Sequence, residues 1–256
     1  MPRTDGESLI SRVARVLEAF DRNTESVSLS TLANRTGLPL PTTHRLVTEL
    51  VRCGLLERNG TKDIRIGLHL WELAGQGNRG LDIRDAALPF MIDLRTAIHE
   101  IVTISVLDQG SALFLERLAP AATTLVAGRM AERHQLHASS SGLVLLAFSS
   151  PDYQEQVLSG PLEKLTDETI TDPGQLRQLL ADIRRRRMVY VPGIGTKDWS
   201  GMAVPVTGAG GEVVAALSVV YRRGTERPLA HEPAMHTAAA GISRVLAQGH
   251  PWASHP

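Results

Sequence analysis

Cysteine is nearly absent from this sequence of 256 residues, where Cys53 is the single example. One cysteine cannot form an intramolecular disulfide, and it cannot build a metal site from a cluster of thiolates. Cys53 follows a stretch of apolar residues at helical spacing. We therefore expect it to be buried as a small apolar side chain rather than to act as a redox sensor.

The sequence also lacks a long apolar run and an excess of charge of either sign. No run approaches the roughly 20 apolar residues that span a bilayer, and residues 1–12 lack the apolar core of a signal peptide. Basic and acidic side chains balance at 27 each, so no overall field draws the chain to a membrane or to nucleic acid. We expect a cytoplasmic protein without a membrane partner.

What the first 67 residues do contain is a regular order of helix signals followed by a hairpin signal. Apolar residues at helical spacing predict a helix over 8–22. Ser28 can cap a second helix that stops at Gly37, and a third helix follows that ends at Cys53-Gly54. The pair Asn59-Gly60 between two short β-rich runs predicts a hairpin.

The second and third of these helices predict a helix-turn-helix motif, because a short joint containing a glycine connects them. Proline is tolerated in a first helical turn, where the N–H groups lack partners, so Pro39 and Pro41 fix the entry of the third helix at little cost. Residues at the start of such a helix meet base edges in the major groove, and a hairpin wing reaches flanking phosphates. The candidate DNA-binding residues are Ser28, Pro41, Thr42, Thr43, His44, Arg45, Arg58, Lys62 and Arg65.

Two readings of this motif remain open from spacing alone. The polar helix end either reads DNA or is solvated in a small helical bundle. A separate alternative for the whole chain is a ligand-sensing interaction protein whose helix-turn-helix contacts other proteins and does not bind DNA. Salt separates a DNA reader from such a protein, since binding to phosphates weakens steeply as salt rises.

Beyond a glycine-rich hinge at Gly75, Gly77 and Gly80, helical and β-rich segments alternate. This order predicts an α+β domain with a sheet flanked by helices. We divide the chain into residues 1–67, a helical linker over 68–81, a second domain over 82–249 and a tail over 250–256.

Possible catalytic or metal-binding residues in the second domain are few. His134 and His137 stand three residues apart, as on one helix face, but zinc needs further ligands, so we expect His137 to orient a loop. The serines at 139–141 lack the nucleophile-elbow pattern G-x-S-x-G and suit a helix cap. The sequence predicts no enzyme, no metal and no cofactor.

The segment LSTLANRTGLPLPTTHRLVTELVRCGLLERNGTKDIRIGLHLWELA resembles the IclR family of bacterial transcription regulators. Later segments, among them LHASSSGLVLLAF and MAVPVTGAGGEVVAALSVV, resemble the same family in order, over roughly residues 8–248. The resemblance implies a winged helix-turn-helix and a GAF-like effector-sensing domain, in dimers or tetramers on double-stranded operator DNA. It implies a regulator, which we take to be a repressor of a catabolic operon.

The resemblance also implies a pocket for a small organic acid, held by loop amides, a cysteine and a serine pair. The matching positions are Ser139, Ser140, Ser141, Gly142, Gly201, Met202, Ser218 and Val220. Here the cysteine is replaced by Gly201 and one serine by Val220, which favours a larger effector such as an aromatic carboxylate. Alternatively, these two residues are ordinary sheet packing. Leu40 also departs from the polar residue common before the recognition helix.

Overall fold

A computed structural model of the chain describes residues 7–20, 26–60, 63–120 and 132–248. The chain divides into two compact units, Met1–Asn78 and Arg79–Pro256. Within the described ranges, no helix combines the length and the apolar character needed to cross a membrane.

The N-terminal unit contains four helices and a small sheet in its described residues. Their bounds are α1 Leu9–Glu18, β1 Val27–Ser28, α2 Leu29–Thr36, α3 Leu40–Arg52, β2 Leu56–Asn59, β3 Asp63–Ile66 and α4 Leu68–Gly75. The sheet has the order β1-β3-β2 with antiparallel pairs. The hairpin prediction is confirmed, but its last pair is Asn59 with Asp63, so the turn begins at Gly60. Strand β1 was not predicted.

Local signals explain where α2 begins and ends. The Ser28 side chain accepts a hydrogen bond from the amide of Thr31, and Gly37 takes the left-handed conformation at φ 66° that favours glycine. Both predicted boundaries are confirmed. The helices pack around a core that includes Val16, Leu32 and the α3 residues Leu46, Val47 and Leu50.

The C-terminal unit is built on one antiparallel sheet of six strands, with helices packed on both faces. Its described elements are α5 Arg79–Ile98, β4 Ile101–Asp108, β5 Ser111–Leu118, β6 Arg133–Gln135, a 3-10 turn Leu136–Ala138, α6 Ser140–Ala147, α7 Pro151–Leu158, α8 Pro173–Arg186, β7 Val189–Pro192, β8 Trp199–Thr207, β9 Val213–Arg222 and α9 Pro228–Ala247. The strand order is β6-β5-β4-β9-β8-β7, and all pairs are antiparallel.

The two faces of this sheet have separate cores. Val102 and Ile104 on β4 belong to the core under α5 and α9, whereas the core under α6 and α8 includes Ala203 and Ala216. Successive side chains of a strand point to opposite faces, so Thr103 and Ser105 lie on the α6 side. A cavity lined by Thr103 lies on that face.

Candidate functional site

The first turn of α3 presents a mixture of exposed and buried side chains. Pro39 is the N-cap and Pro41 occupies the second helical position, with no side-chain cap. Pro41, His44 and Arg45 are exposed and Thr42 is half-buried. Arg45 has no ion pair with any described residue, so its guanidinium is available to a partner.

Thr43 does not point outward, although the sequence analysis places it among the residues that contact DNA. Its side chain is fully buried, and its Oγ1 donates to the carbonyl oxygen of Pro39 at 3.2 Å. Thr43 precedes Leu46, Val47 and Leu50 by three, four and seven residues, which places all four on one face of the helix. The expected exposure of Thr43 was therefore wrong, and its role is to anchor the helix start.

Two arginines of the wing are exposed, and one of them is already paired. Arg58 is exposed. Arg65 donates through Nε and Nη2 to Glu57 Oε2 at 3.1 and 2.9 Å. The amide of Leu68 also donates to Glu57, and these bonds lower the pKa of that carboxyl. Lys62 lies outside the described residues.

Two further predictions for the N-terminal unit concern Ser28 and Cys53. The Ser28 hydroxyl lies 2.9 Å from Thr31 Oγ1 and caps α2, which leaves it little freedom for another partner. Cys53, expected to be buried, is exposed. It is the C-cap of α3, just after the last helical residue Arg52 and three residues beyond Leu50, where the buried face of the helix ends.

A cavity of about 330 Å³ opens on the α6 side of the C-terminal sheet. Its size falls in the range of small-molecule pockets. Its apolar wall consists of Phe114, Ala138, Val191, Ile194, Trp199 and Val220. Its polar lining includes Thr103, His134 and Ser218 on the strands, and serines 139–141 at the start of α6.

Helix α6 begins at this cavity and is held closely against the sheet. Ser139 caps it by accepting from the amide of Gly142 at 3.1 Å. A Cβ on Gly201 would come within 2.5 Å of Ser140 Oγ and 3.0 Å of Ser140 Cβ. Gly201 therefore makes room for Ser140, and the helix N-terminus carries a partial positive charge that favours an anion.

Two hydroxyls in the cavity floor are buried and find no partner among the described residues. Thr103 and Ser218 face each other across β4 and β9, and their side chains are 0% and 2% exposed. Neither Thr103 Oγ1 nor Ser218 Oγ has a hydrogen-bond partner in the described part of the chain. Burying a polar group without a bond is costly, so these two atoms are suited to a ligand or to water.

Six of the eight predicted pocket residues line this cavity: Ser139, Ser140, Ser141, Gly201, Ser218 and Val220. Met202 does not, because it neighbours Gly201 on β8 and points to the opposite face, into the α5–α9 core. Gly142 does not line it either; its amide is used by the Ser139 cap. Whether the six bind an effector stays a prediction.

The histidine pair is not on one helix face. His134 lies on β6 and His137 in the 3-10 turn. His137 Nε2 is 2.9 Å from the carbonyl oxygen of Glu163, so it holds the loop as expected. In the described ranges, no group of three or more His, Cys, Asp or Glu side chains is arranged to hold a metal.

Comparison with known families decides what these two units are. Residues 9–60 match the family described as "IclR helix-turn-helix domain", and residues 78–244 match "Bacterial transcriptional regulator IclR C-terminal". The chain belongs to the IclR family. Members of this family are transcriptional regulators rather than enzymes, and the helix-turn-helix unit makes this chain a DNA-binding regulator.

Individual IclR-family proteins resemble the chain along most of its length. An IclR homolog of Microbacterium hydrocarbonoxydans, solved in complex with 4-hydroxybenzoate, is 39% identical, with a TM-score of 0.88 over 94% of this chain and 100% of that chain. The uncharacterised HTH-type regulator RhmR of Escherichia coli is 31% identical over 77% of this chain and 76% of its own length. The repressor IclR of Escherichia coli is 26% identical over 72% of this chain and 69% of its own length.

The IclR resemblance led to α6, β8 and β9 but missed Thr103, Phe114 and His134 in the cavity. A signal for Thr103 was present, because the run IVTISV alternates apolar and polar residues and so predicts a strand with one polar face. No comparable signal marks His134. Its strand β6 has only three residues and depends on pairing with β5.

Proposed function

We propose that this regulator represses an operon and that an aromatic carboxylate bound in the C-terminal cavity relieves the repression. The observation that carries the proposal is the cavity itself. It combines an anion-favouring helix start at Ser140 and Ser141 with a broad apolar wall and two hydroxyls that have no partner in the described part of the chain. Such a cavity suits a ligand with one charged end and an apolar body.

The size of the effector follows from the replaced residues. Val220 adds an apolar side chain to the cavity wall. The space that a side chain at position 201 would need is occupied by Ser140. Fewer donors surround a small keto acid than the family pattern would supply. The relative from Microbacterium hydrocarbonoxydans, which was solved with 4-hydroxybenzoate, supports an aromatic acid for this chain.

On the DNA side, we assign base reading to the exposed start of α3. Arg45 can grip a guanine with two hydrogen bonds, while Thr42, His44 and Pro41 contact neighbouring bases or sugars. Arg58 of the wing, Lys62, and the backbone amides at the start of α2, which Ser28 caps, contact phosphates. Arg65 supports the wing through Glu57, and Thr43 supports the helix from inside.

Self-association completes the proposal. Exposed apolar side chains occur on α1, at Leu9 and Ile10, and on α4, at Leu68 and Trp71. Burying them between two copies would remove apolar surface from water. A dimer would then bring two copies of α3 to successive major grooves about 34 Å apart.

A panel of ligands tests the effector assignment. Benzoate and hydroxybenzoates should raise the unfolding temperature of the full chain, because a ligand that binds only the folded state stabilises it. Glyoxylate and pyruvate should have little effect. Strong stabilisation by these keto acids, with none by the aromatic acids, would show that the assignment is wrong.

A further inference from the structure

The loop between β7 and β8, residues 193–198, forms one wall of the cavity. Ile194, Gly195 and Thr196 line the cavity from this loop, and Trp199 lines it from the first position of β8. A Cβ on Gly195 would come within 2.8 Å of the carbonyl oxygen of Ala138. The loop is therefore packed against the turn that leads into α6, and its position determines the space that a ligand can occupy.

The hydrogen-bonded ladder of β7 and β8 stops before this loop. The last pair of the two strands joins Pro192 to Ser200, so the carbonyl groups of Gly193 and Ile194 lie beyond the ladder. Both of these residues are buried, and a buried carbonyl group needs a hydrogen-bond donor. The donors come from a segment that precedes α8 in the chain.

This segment, residues 166–169, is called the clasp below because its two threonines hold the loop. Thr166 Oγ1 donates to the carbonyl oxygen of Gly193 at 2.7 Å, and Thr169 Oγ1 donates to that of Ile194 at 2.6 Å. Amides of the clasp orient both hydroxyls: Thr166 Oγ1 accepts from Glu168 at 3.2 Å, and Thr169 Oγ1 accepts from Thr166 at 2.8 Å. The threonines are 7% and 5% exposed, so these bonds form at low dielectric, where they are stronger than in water.

Two ion pairs also involve the clasp, but they are more exposed than its threonines. Lys197 Nζ of the loop lies 3.0 Å from Asp167 Oδ2, and Arg223 Nη1 lies 2.7 Å from Glu168 Oε1. The side chains of the first pair are 68% and 84% exposed. Solvent screens such pairs, so they contribute little to a fixed geometry. The position of the loop depends instead on the two buried hydroxyls.

We infer that Thr166 and Thr169 are positioning residues for the effector. Their hydroxyls fix the backbone of Gly193 and Ile194 and thereby place the cavity wall that the loop supplies. Neither threonine is among the described residues that line the cavity, so both act through the loop rather than by contact with a ligand. The effect on ligand binding rests on the proposed effector, whereas the effect on the loop does not.

Acrylamide quenching of Trp199 fluorescence measures how firmly the loop is closed, without any ligand. The chain has three tryptophans, so Trp71→Phe and Trp252→Phe leave Trp199 as the single emitter. In this background, Thr166→Val and Thr169→Val each leave a buried carbonyl group without its donor, so the loop should open more often. We expect the quenching constant to rise by about twofold in each valine variant. Thr166→Ser and Thr169→Ser keep the hydroxyl and should quench nearly as the starting protein does.

Benzoate binding to the full chain measures the consequence for the cavity. The calorimetric dissociation constant should rise by about threefold to tenfold in each valine variant, because only the molecules whose wall is in place bind the acid well. The serine variants should stay within about twofold of the unaltered protein, since their hydroxyls can still donate to the loop. A threonine that only stabilises the fold would not change the affinity of folded molecules.

Thr36→Val is the matched control for a lost buried hydrogen bond. Thr36 is 3% exposed, and its hydroxyl donates to the carbonyl oxygen of Leu32 at 2.7 Å in the N-terminal unit. This variant should lower the unfolding temperature but leave Trp199 quenching and benzoate binding unchanged. Asp167→Asn is the control for the ion pairs, and it should also leave both quantities unchanged.

The outcomes separate the clasp from the proposed effector. Unchanged Trp199 quenching in the valine variants overturns the role of the two threonines, as does a rise that Asp167→Asn reproduces or that serine does not reverse. A rise in quenching with an unchanged benzoate constant also overturns the positioning role. If benzoate does not bind the unaltered protein, the proposed effector class fails, and the quenching result alone decides the role of the clasp. Thr166→Ala and Thr169→Ala repeat the test if a valine variant does not fold.

Discussion

The N-terminal unit keeps the side chains proposed to meet DNA on its surface, whereas the C-terminal unit keeps those proposed to meet an effector in a cavity. Arg45 is exposed and has no ion pair with a described residue, while Thr103 and Ser218 are buried and have no hydrogen-bond partner among the described residues. A surface group is solvated until its partner arrives, so it costs the fold little. A buried polar group without a hydrogen bond lowers the stability of the ligand-free protein, and a ligand that bonds this group raises the stability again.

This contrast predicts that substitutions in the two units differ in their effect on stability. Substitutions at the DNA-facing surface should change binding alone. Substitutions in the cavity should change binding and stability together, sometimes in opposite directions. Four variants test the contrast, starting with the one whose effect on binding should be largest.

Arg45→Ala should weaken operator binding by about 2 kcal/mol per half-site, roughly 30-fold for each, because a bidentate contact to guanine is lost. Its unfolding temperature should stay unchanged. Fluorescence anisotropy with labelled operator measures the first quantity and differential scanning calorimetry the second. Arg52→Ala is the control, since Arg52 lies at the other end of α3 and pairs with Glu49. Normal operator binding by Arg45→Ala would show that Arg45 is dispensable.

Gly201→Ala should destabilise the C-terminal unit by about 1–2 kcal/mol, because the added Cβ overlaps Ser140. Chemical denaturation measures this cost. In a Ser140→Gly background the same substitution should cost much less, since the overlapping atoms are gone. Equal costs in the two backgrounds would show that Gly201 and Ser140 do not compete for space.

Thr103→Val should stabilise the ligand-free protein by about 0.5–1 kcal/mol and weaken the binding of aromatic acids, because an unpartnered buried hydroxyl becomes a methyl group. Thr36→Val is the matched control in the N-terminal unit. Thr36 is equally buried, but its hydroxyl donates to the carbonyl oxygen of Leu32 at 2.7 Å. We expect the control to lose about 1 kcal/mol. A loss of stability in Thr103→Val would mean that the Thr103 hydroxyl is bonded in the empty protein.

Leu40→Lys should have the smallest effect, a gain of a few-fold in operator affinity at low salt. Leu40 is half exposed at the first position of α3, where a lysine could contact a phosphate. The slope of log affinity against log salt should become steeper by about 0.9 for each half-site. An unchanged slope would place residue 40 away from the DNA backbone.

The contrast between the units also explains what could be predicted from the sequence. In the N-terminal unit, local signals were enough: Ser28 and Gly37 mark the ends of α2, and Pro39 and Pro41 mark the start of α3. The helical spacing of Thr43 from Leu46, Val47 and Leu50 predicts that Thr43 is buried, as it is. The polar character of threonine led to the opposite expectation. Here the relevant information is local in the chain.

The cavity depends on strands that are distant in sequence. Thr103 faces Ser218 only because β4 pairs with β9, and His134 reaches Phe114 only because β6 pairs with β5. The family resemblance supplied the α6, β8 and β9 positions, and the alternation rule would have removed Met202. The partner of His134 could not be predicted, because a strand of three residues carries almost no pattern.

Operator binding with and without an aromatic acid tests the central claim most directly. An operator is first obtained by selecting binding sites from random DNA, and its affinity is then measured by anisotropy across a salt series. We predict a steep fall in affinity with salt and a further loss when a hydroxybenzoate is added, with no loss for glyoxylate or pyruvate. An operator affinity that is unchanged by aromatic acids but falls with the small keto acids would contradict the account.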